Sequence, residues 1–321
     1  MNGMPATHPV EVVKIHLEPH PNADTLSIVR VHGWTCCVRT ADWKDAALAA
    51  YIPPDSIAPE TSAFEFLGKH RRIRVKRLRG VVSMGLLMPA PSGAKEGDDV
   101  ADALGVAHYQ PPTPCDFGGQ AGPSPGGYRP TYDVENARRY ADEVLVPGEP
   151  LWVTEKIHGA NGRWCIQDGE FFAGSRTEWK RKKESLIWWQ ALDGCEELRQ
   201  FLRDNPDCTV YGEVYGHVQD LKYGIDRGVR VAVFDILRGS EWLDGRTARK
   251  IGERLPWVPI VRSEMIYDWE SLAAMAEMRS LMPGADHVAE GIVAKPIIER
   301  TNPIIGRVQV KVISSAYLER P

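Results

Sequence analysis

Short apolar runs, many alternating with polar residues, dominate the first third of the chain. "VEVVKIHL" (10–17), "LSIVRVHG" (26–33), "WTCCVRTA" (34–41), "RIRVKRL" (72–78) and "MGLLMP" (84–89) read as strands. They are separated by the turn-rich "PHPNAD", "IPPDSIAPE" and "PSGAKEG". About five short strands in the first 105 residues predict a small β-barrel. Residues 106–130 lack any hydrophobic period and are dense in proline and glycine, which predicts a linker over 106–127. Beyond it the pattern changes. Strands ("LWVTEKI", "CTVYGEVYG", "VRVAVFDIL", "EGIVAKPII", "RVQVKVIS") are interspersed with runs of helical spacing ("SLIWWQAL", "CEELRQFLRD", "DWESLAAMAEMRSLM"), with Asp268 at the N-cap of the last. This mixture predicts an α+β domain over 128–321 rather than a regular βαβ repeat.

Composition narrows the class without naming a chemistry. The net charge of −4 announces no polyanion partner, so any nucleic-acid surface must be local. No apolar run is long enough to span a bilayer, and the N-terminus lacks the pattern of a signal peptide. The six cysteines (36, 37, 115, 165, 195 and 208) show no C-x-x-C, so reduced thiols, no structural zinc and a cytoplasmic location are expected.

Neither a P-loop nor a dinucleotide-binding glycine fingerprint occurs. Phosphate chemistry is suggested by a different set. "EKIHGANG" carries Lys156 at the lip of a strand, followed by a tight glycine turn. "AGSRTEWK" carries Arg176, "VYGEVYG" Glu213, "VAVFDI" Phe234, "EGIVAK" Glu290 and Lys295, and "RVQVKV" Lys311. Each charge alone reads as a strand-end surface residue, and Phe234 alone as core. Together they are the residue types that hold a triphosphate and its metal. His158 alone is a turn residue. His16 and His20 read as surface-turn residues, and Trp179, Trp188 and Trp189 as core.

These blocks, in this order, resemble the covalent nucleotidyltransferases, which comprise ATP-dependent ligases and capping enzymes. The turn K-x-H-G-x-N is similar to that of the RNA ligase branch, where DNA ligases have K-x-D-G-x-R. "HPNADTLSIVRVHGW", "KRLRGVVSMGLLMP" and "YDVENARRYADEV" resemble the subgroup of nick-sealing RNA ligases with an N-terminal OB domain. The resemblance implies an OB-like barrel followed by an α+β adenylyltransferase (ATP-grasp-like ligase) domain, acting as a monomer on RNA nicks or RNA/DNA hybrids. It implies ATP with Mg²⁺ or Mn²⁺, and Lys156 as the nucleophile that takes up AMP. Glu290 would bind the metal, Glu213 the ribose, Phe234 the adenine face and Glu155 the adenine edge. Arg176 would contact ribose or a 5′-phosphate, Lys295 and Lys311 phosphates, and Asn161 would serve later steps. His158 would lie near the phosphates.

From the residues themselves, Lys295, Lys311 and a divalent metal are each expected to lower the pKa of Lys156. The basic run "GKHRRIRVKRLRG" (68–80) holds seven Lys or Arg and no acid. In a strand it would aim Arg72, Arg74 and Lys76 outward and Ile73 and Val75 inward. That face is either simply solvated or a track for a phosphate backbone.

Two departures from the family stand out. The last motif usually reads K-x-K. Here the register fixed by "SSAYLE" puts Ile313 where the second lysine belongs, with Lys295 or Arg307 as possible substitutes. The chain also ends soon after Lys311, leaving no room for the C-terminal OB domain of DNA ligases and capping enzymes. The rival readings are another polynucleotide ligase, or an RNA-binding OB protein carrying an inactive transferase.

Overall fold

The computed structural model describes residues 9–109 and 120–320. The chain divides into two units, one built from described residues within 1–111, 137–139 and 315–321, the other from those within 112–136 and 140–314.

The first unit is mostly β, as expected. Leu48–Ile52 lies between Glu11–Lys14 and Leu86–Pro89 in an antiparallel sheet. A second sheet runs Glu18–Pro19, Leu26–Val31, Trp34–Arg39. The central strand, "LAAYI", has no alternation to betray it, because it is buried on both faces. Ala49 and Tyr51 join one apolar cluster, Ala50 and Ile52 the other.

The basic run is only partly a strand. Lys76–Leu78 pairs with Val81–Ser83, and Arg72 makes an isolated bridge to Ile57. The expected alternation still holds: Ile73 and Val75 are buried, Arg74 and Lys76 exposed. Arg72 differs. It donates to Asp55 at 2.7 Å and lies over the Tyr109 ring at 3.8 Å, so its charge is partly spent on neighbours within its own unit. His20 also departs from its surface-turn reading, whereas His16 is exposed as expected. The buried His20 accepts from the Asn22 N–H at Nδ1, and its Nε2 lies 3.2 Å from the Leu78 carbonyl. Asn22 donates to the Arg79 carbonyl. The "PHPNAD" turn therefore clamps the basic hairpin.

The second unit holds two antiparallel-rich sheets. One runs Glu135–Asn136, Val310–Ile313, Gly291–Pro296, Pro150–Lys156, Ile260–Ile266. The other runs Trp179–Lys180, Glu170–Ser175, Ala160–Gln167, Cys208–Gly216, Val229–Arg238, Glu241–Trp242. Helices Ile187–Asp193 and Glu196–Asp204 cover one face of the six-stranded sheet, and Trp179, Trp188 and Trp189 are buried as expected. The helix expected to reach residue 282 ends at Met275. Asp268 caps it by accepting from the Ser271 N–H. Beyond it, Ser280 and Leu281 are drawn away to Glu155.

The expected linker is only partly within the described residues, and its 110–119 portion and Cys115 lie outside them. Gln120–Gly122 is no free connector. The Gly122 N–H donates to the Trp179 carbonyl and the Arg181 N–H to the Gln120 carbonyl. A Cβ on Gly122 would stand 2.5 Å from the Arg181 nitrogen, so only glycine allows this approach. Among the described residues, no helix is long and apolar enough to cross a membrane.

Candidate active site

Lys156 ends the strand Pro150–Lys156, and the register sets it opposite Gly291. Glu290 immediately precedes that glycine, so its carboxylate reaches the amine: Lys156 Nζ stands 2.8 Å from Glu290 Oε1. A Cβ on Gly291 would lie 2.0 Å from the Val312 carbonyl oxygen, which excludes every other residue there. The chain then turns through "IHGAN" into the other sheet. Gly159 is pressed so closely on that sheet that its Cβ would meet the Val214 carbonyl oxygen at 2.1 Å. The next strand sets Asn161 opposite Glu213. One tight turn thus brings an amine from one sheet beside a carboxyl from the other.

His158 is fixed within this turn. Its N–H donates to the Tyr223 hydroxyl at 2.6 Å, and its Nε2 stands 2.7 Å from Asp220 Oδ1. Its Nδ1 faces Glu290 Oε2 at 3.7 Å. Sequence reading does not single out Asp220 or Tyr223. The "HG" turn alone does not reveal its supports, which come from a loop more than sixty residues away.

The electrostatics are unequal. Burial pushes the Glu213 carboxyl up to about 8. The charge of Glu290 adds to this, while Lys156 and the Gly159 N–H oppose it only in part. Burial would also raise Glu290, but Lys156 and His158 overcome it and bring its pKa to about 2. For Lys156, burial favours the neutral amine, yet Glu290 and Glu213 outweigh it and hold its pKa above the usual lysine value. The side chains around Lys156 thus do not by themselves produce the expected depression. Lys311 is in the site as expected, and its own pKa is lowered by burial and by the charge of Lys156. Lys295 is elsewhere.

The register puts Lys295 opposite Trp152, four residues back along the strand from Lys156, or about 13 Å. It is buried, donates to both Asp235 oxygens at 3.1 and 3.0 Å, and reaches Glu299 at 2.9 Å. Arg307 joins the same acids, donating to Asp235 Oδ2 at 2.7 Å and lying over the Trp242 ring at 4.1 Å. Tyr132 donates its hydroxyl to Asp235 at 2.8 Å. The Lys295 and Arg307 charges are therefore committed to a buried knot that ties the two sheets together, and neither stands in for the absent second lysine. Ile313 pairs with Gly291, in the same cross-strand row as Lys156.

Phe234 sits at a β-bulge. Tyr211 pairs with Asp235 and Gly212 with Val233, leaving Phe234 as the extra residue. The half-buried ring meets Tyr132 at 4.4 Å between centroids. Arg176 donates to Asp133 at 3.0 Å and remains exposed, and its charge acts on Lys311. Glu155 does not join the site through its side chain. It alternates away from Lys156, and its carboxylate accepts from the Ser280 hydroxyl and the Leu281 N–H.

The donors that remain suit a cation bound together with phosphates. Glu290 Oε2 and Asn161 Oδ1 are buried acceptors without a hydrogen bond among the described residues. Leaving such groups unsatisfied costs about 1–3 kcal/mol each. Among the described residues no three His, Cys, Asp or Glu side chains converge to hold a metal alone. A single carboxylate and an amide oxygen suit Mg²⁺ or Mn²⁺ whose other ligands are phosphate oxygens and water.

Known proteins share this fold. A family model for RNA ligase matches residues 149–313, and one for an OB-fold domain matches residues 10–90. Among curated proteins, none matches the chain significantly. Among solved structures, an apo mutant of Naegleria gruberi RNA ligase is 22% identical with a TM-score of 0.82, over 98% of this chain and 98% of that one. A lysine-to-alanine mutant of that ligase with ATP and Mn is 22% identical with a TM-score of 0.80, over 96% and 98%. The same ligase with PPi is 22% identical with a TM-score of 0.78, over 96% and 97%. These likenesses establish an OB-fold domain followed by a ligase nucleotidyltransferase domain. The family match covers just over half of the chain and includes the Lys156, Glu213, Glu290 and Lys311 blocks, and by it the chain belongs to the RNA ligase family.

Proposed function

We propose that this RNA ligase uses ATP to join a 5′-phosphate to a 3′-hydroxyl at nicks in RNA-containing duplexes, acting as a monomer through a lysyl-AMP intermediate. The observation that carries the reading is the pairing of Lys156 with Glu290, a carboxylate that keeps a second, unsatisfied oxygen in a site walled by Glu213 and Lys311. The solved ligases that share the fold were captured with ATP and Mn or with PPi, which supports the same ligands here.

In the first step the neutral Lys156 amine attacks the α-phosphorus of ATP. The P–N bond forms, the P–O bond to pyrophosphate breaks, and the amine gives up a proton. Lys156 must first lose the proton that Glu290 stabilises. Glu290 and Asn161 are the donors suited to Mg²⁺ or Mn²⁺, which supplies charge neutralisation for the triphosphate when bound. Glu290, if engaged by a cation, would no longer hold the Lys156 ammonium, and Lys311 would then favour the neutral amine. Glu213 is assigned to the ribose and Phe234 to stacking on adenine. Lys311 faces phosphate, and His158 lies near it. In the second step an RNA 5′-phosphate oxygen attacks the AMP phosphorus and the P–N bond breaks, with Arg176 positioned for ribose or that 5′-phosphate. In the third, the 3′-hydroxyl attacks the activated 5′-phosphate and AMP leaves, with Asn161 assisting. Grip on the duplex is assigned to Arg74 and Lys76, and less to Arg72.

The test is a matched panel of RNA, DNA and hybrid nicks, with labelled ATP to separate AMP uptake from sealing. A fragment starting near Tyr128 should still take up AMP, whereas sealing should need residues 1–127. Sealing of DNA 3′-ends as fast as RNA 3′-ends would overturn the RNA assignment.

A further inference from the structure

The sequence run "WKRKK" (179–183) is not used by the chemistry above, although both of its flanks touch the site. On one side, Arg176 lies close enough to influence Lys311. On the other, Trp188 donates its indole N–H to the Asn161 carbonyl at 2.9 Å. Between them stand four consecutive cations. Lys180 is turned inward, paired with Glu178 at 2.7 Å and lying 5.1 Å from the Trp188 ring centroid. Arg181, Lys182 and Lys183 are exposed.

Two features separate this loop from a merely solvated charge run. First, its backbone is held. The Arg181 N–H donates to the Gln120 carbonyl, the Lys180 carbonyl accepts from the Trp189 indole at 3.2 Å, and the Lys183 carbonyl accepts from the Leu186 N–H at 3.0 Å. Gly122 is needed for the first of these contacts, so the preceding segment is shaped to brace the loop. Second, its charge is not neutralised locally. Glu178 is taken by Lys180, and among the described residues none of Arg181, Lys182 and Lys183 forms an ion pair. Lys182 only approaches the Trp189 ring, at 5.9 Å. A rigid display of three like charges carries a repulsive cost, which a polyanion removes.

We propose that Arg181, Lys182 and Lys183 form a landing surface for the phosphate backbone of the RNA duplex beside the end being joined. The inference rests on the ligase reading and deepens it, adding a second substrate grip on the transferase unit. The loop leaves the edge strand Trp179–Lys180, a few residues beyond the side chain assigned to the 5′-phosphate, and Trp188 just after it holds the Asn161 carbonyl. A duplex with its 5′-phosphate at Arg176 would have its adjoining phosphates next to the loop.

The test uses the full chain with Arg181, Lys182 and Lys183 all changed to alanine. Binding to a nicked RNA duplex is followed by fluorescence anisotropy over a salt series, and AMP uptake is measured separately with ATP alone. The slope of log affinity against log salt should flatten by about 2–3, near 0.9 for each phosphate that is no longer neutralised. AMP uptake should match wild type, and Arg181→Lys should retain most of the slope. An unchanged slope and affinity would overturn the proposal, and so would an equal loss of AMP uptake, because the loop would then act through the ATP site. A flattened slope in a protein whose wild type takes up no AMP would uphold the surface while refuting the ligase reading.

Discussion

Two buried charge clusters share one strand of the transferase unit, and they behave in opposite ways. At the inner end, Lys295 and Arg307 face Asp235 and Glu299, two cations against two acids, with Tyr132 completing the donors to Asp235. Asp235 is fully buried, and although burial would raise its carboxyl, Arg307 and Lys295 hold its pKa below the ordinary value. That cluster is saturated and cross-links the sheets. At the outer end, Lys156 and Lys311 face Glu290 and Glu213. Here Glu290 Oε2 is unsatisfied, and Glu213 is pushed up to about 8. The same residue types give a structural tie where every partner is present, and the proposed reactive site where one is withheld. Unsatisfied groups and displaced pKa values, rather than charge alone, mark the chemistry.

If the two clusters differ in this way, equivalent substitutions should have different consequences. Glu290→Gln should reduce lysyl-AMP formation by more than about 100-fold while the protein stays folded, because the outer cluster loses its cation-binding charge. Rate measurements with saturating ATP and Mg²⁺ check this, and chelator should abolish the wild-type reaction. A near-normal rate would remove Glu290 from its role.

Lys295→Met should act on folding instead. Removing one partner from a buried pair costs about 3–5 kcal/mol, and a denaturant titration should show that loss. A variant with normal stability and lost AMP uptake would put Lys295 back among the phosphate ligands.

Glu213→Gln probes the outer cluster through pH. The folded carboxyl titrates at about 8 and the unfolded one near 4.5, so the folded state holds its proton more tightly. Its contribution is complete below 4.5, falls as pH rises through about 8, and is level above. The glutamine variant should therefore gain stability over wild type by about 4 kcal/mol between pH 5 and pH 9, with most of the gain appearing before pH 8. Melting curves across that range check it, and a constant difference would contradict the raised pKa.

The smallest effect is expected at Ile313. Ile313→Lys adds a cation in the Lys156–Gly291 row, at a half-buried position. Lysyl-AMP formation should rise by a few-fold at neutral pH, since a nearby cation favours the neutral amine. An unchanged rate would show that the position lies out of reach of the nucleophile.

The outer cluster is legible in the sequence because its signals are local. A lysine at a strand lip, glycines where chains nearly touch, and a glutamate one residue before a strand all survive in linear sequence. The inner cluster is not. Asp235 follows Phe234 in "VFDI" and reads as an ordinary strand residue, and nothing along the chain reveals that Lys295 faces it across two sheets. Lys295 consequently reads as a phosphate ligand. His20 misleads for the same reason, since its partner Leu78 is remote in sequence. "LAAYI" hides its central place because burial on both faces erases alternation. The helix after Asp268 stops early because Glu155 captures Ser280 and Leu281, a tertiary contact that overrides helical spacing.

The central claim is that the outer cluster, through Lys156, carries the covalent chemistry and the inner one does not. The most direct measurement is peptide mapping of the AMP adduct after incubation with ATP and Mg²⁺, for wild type, Lys156→Ala and Lys295→Met. The adduct should sit on Lys156 in the wild type and in whatever fraction of Lys295→Met remains folded, and it should be absent from Lys156→Ala with folding intact. An adduct on any other residue, or a stable adduct in Lys156→Ala, would contradict the account.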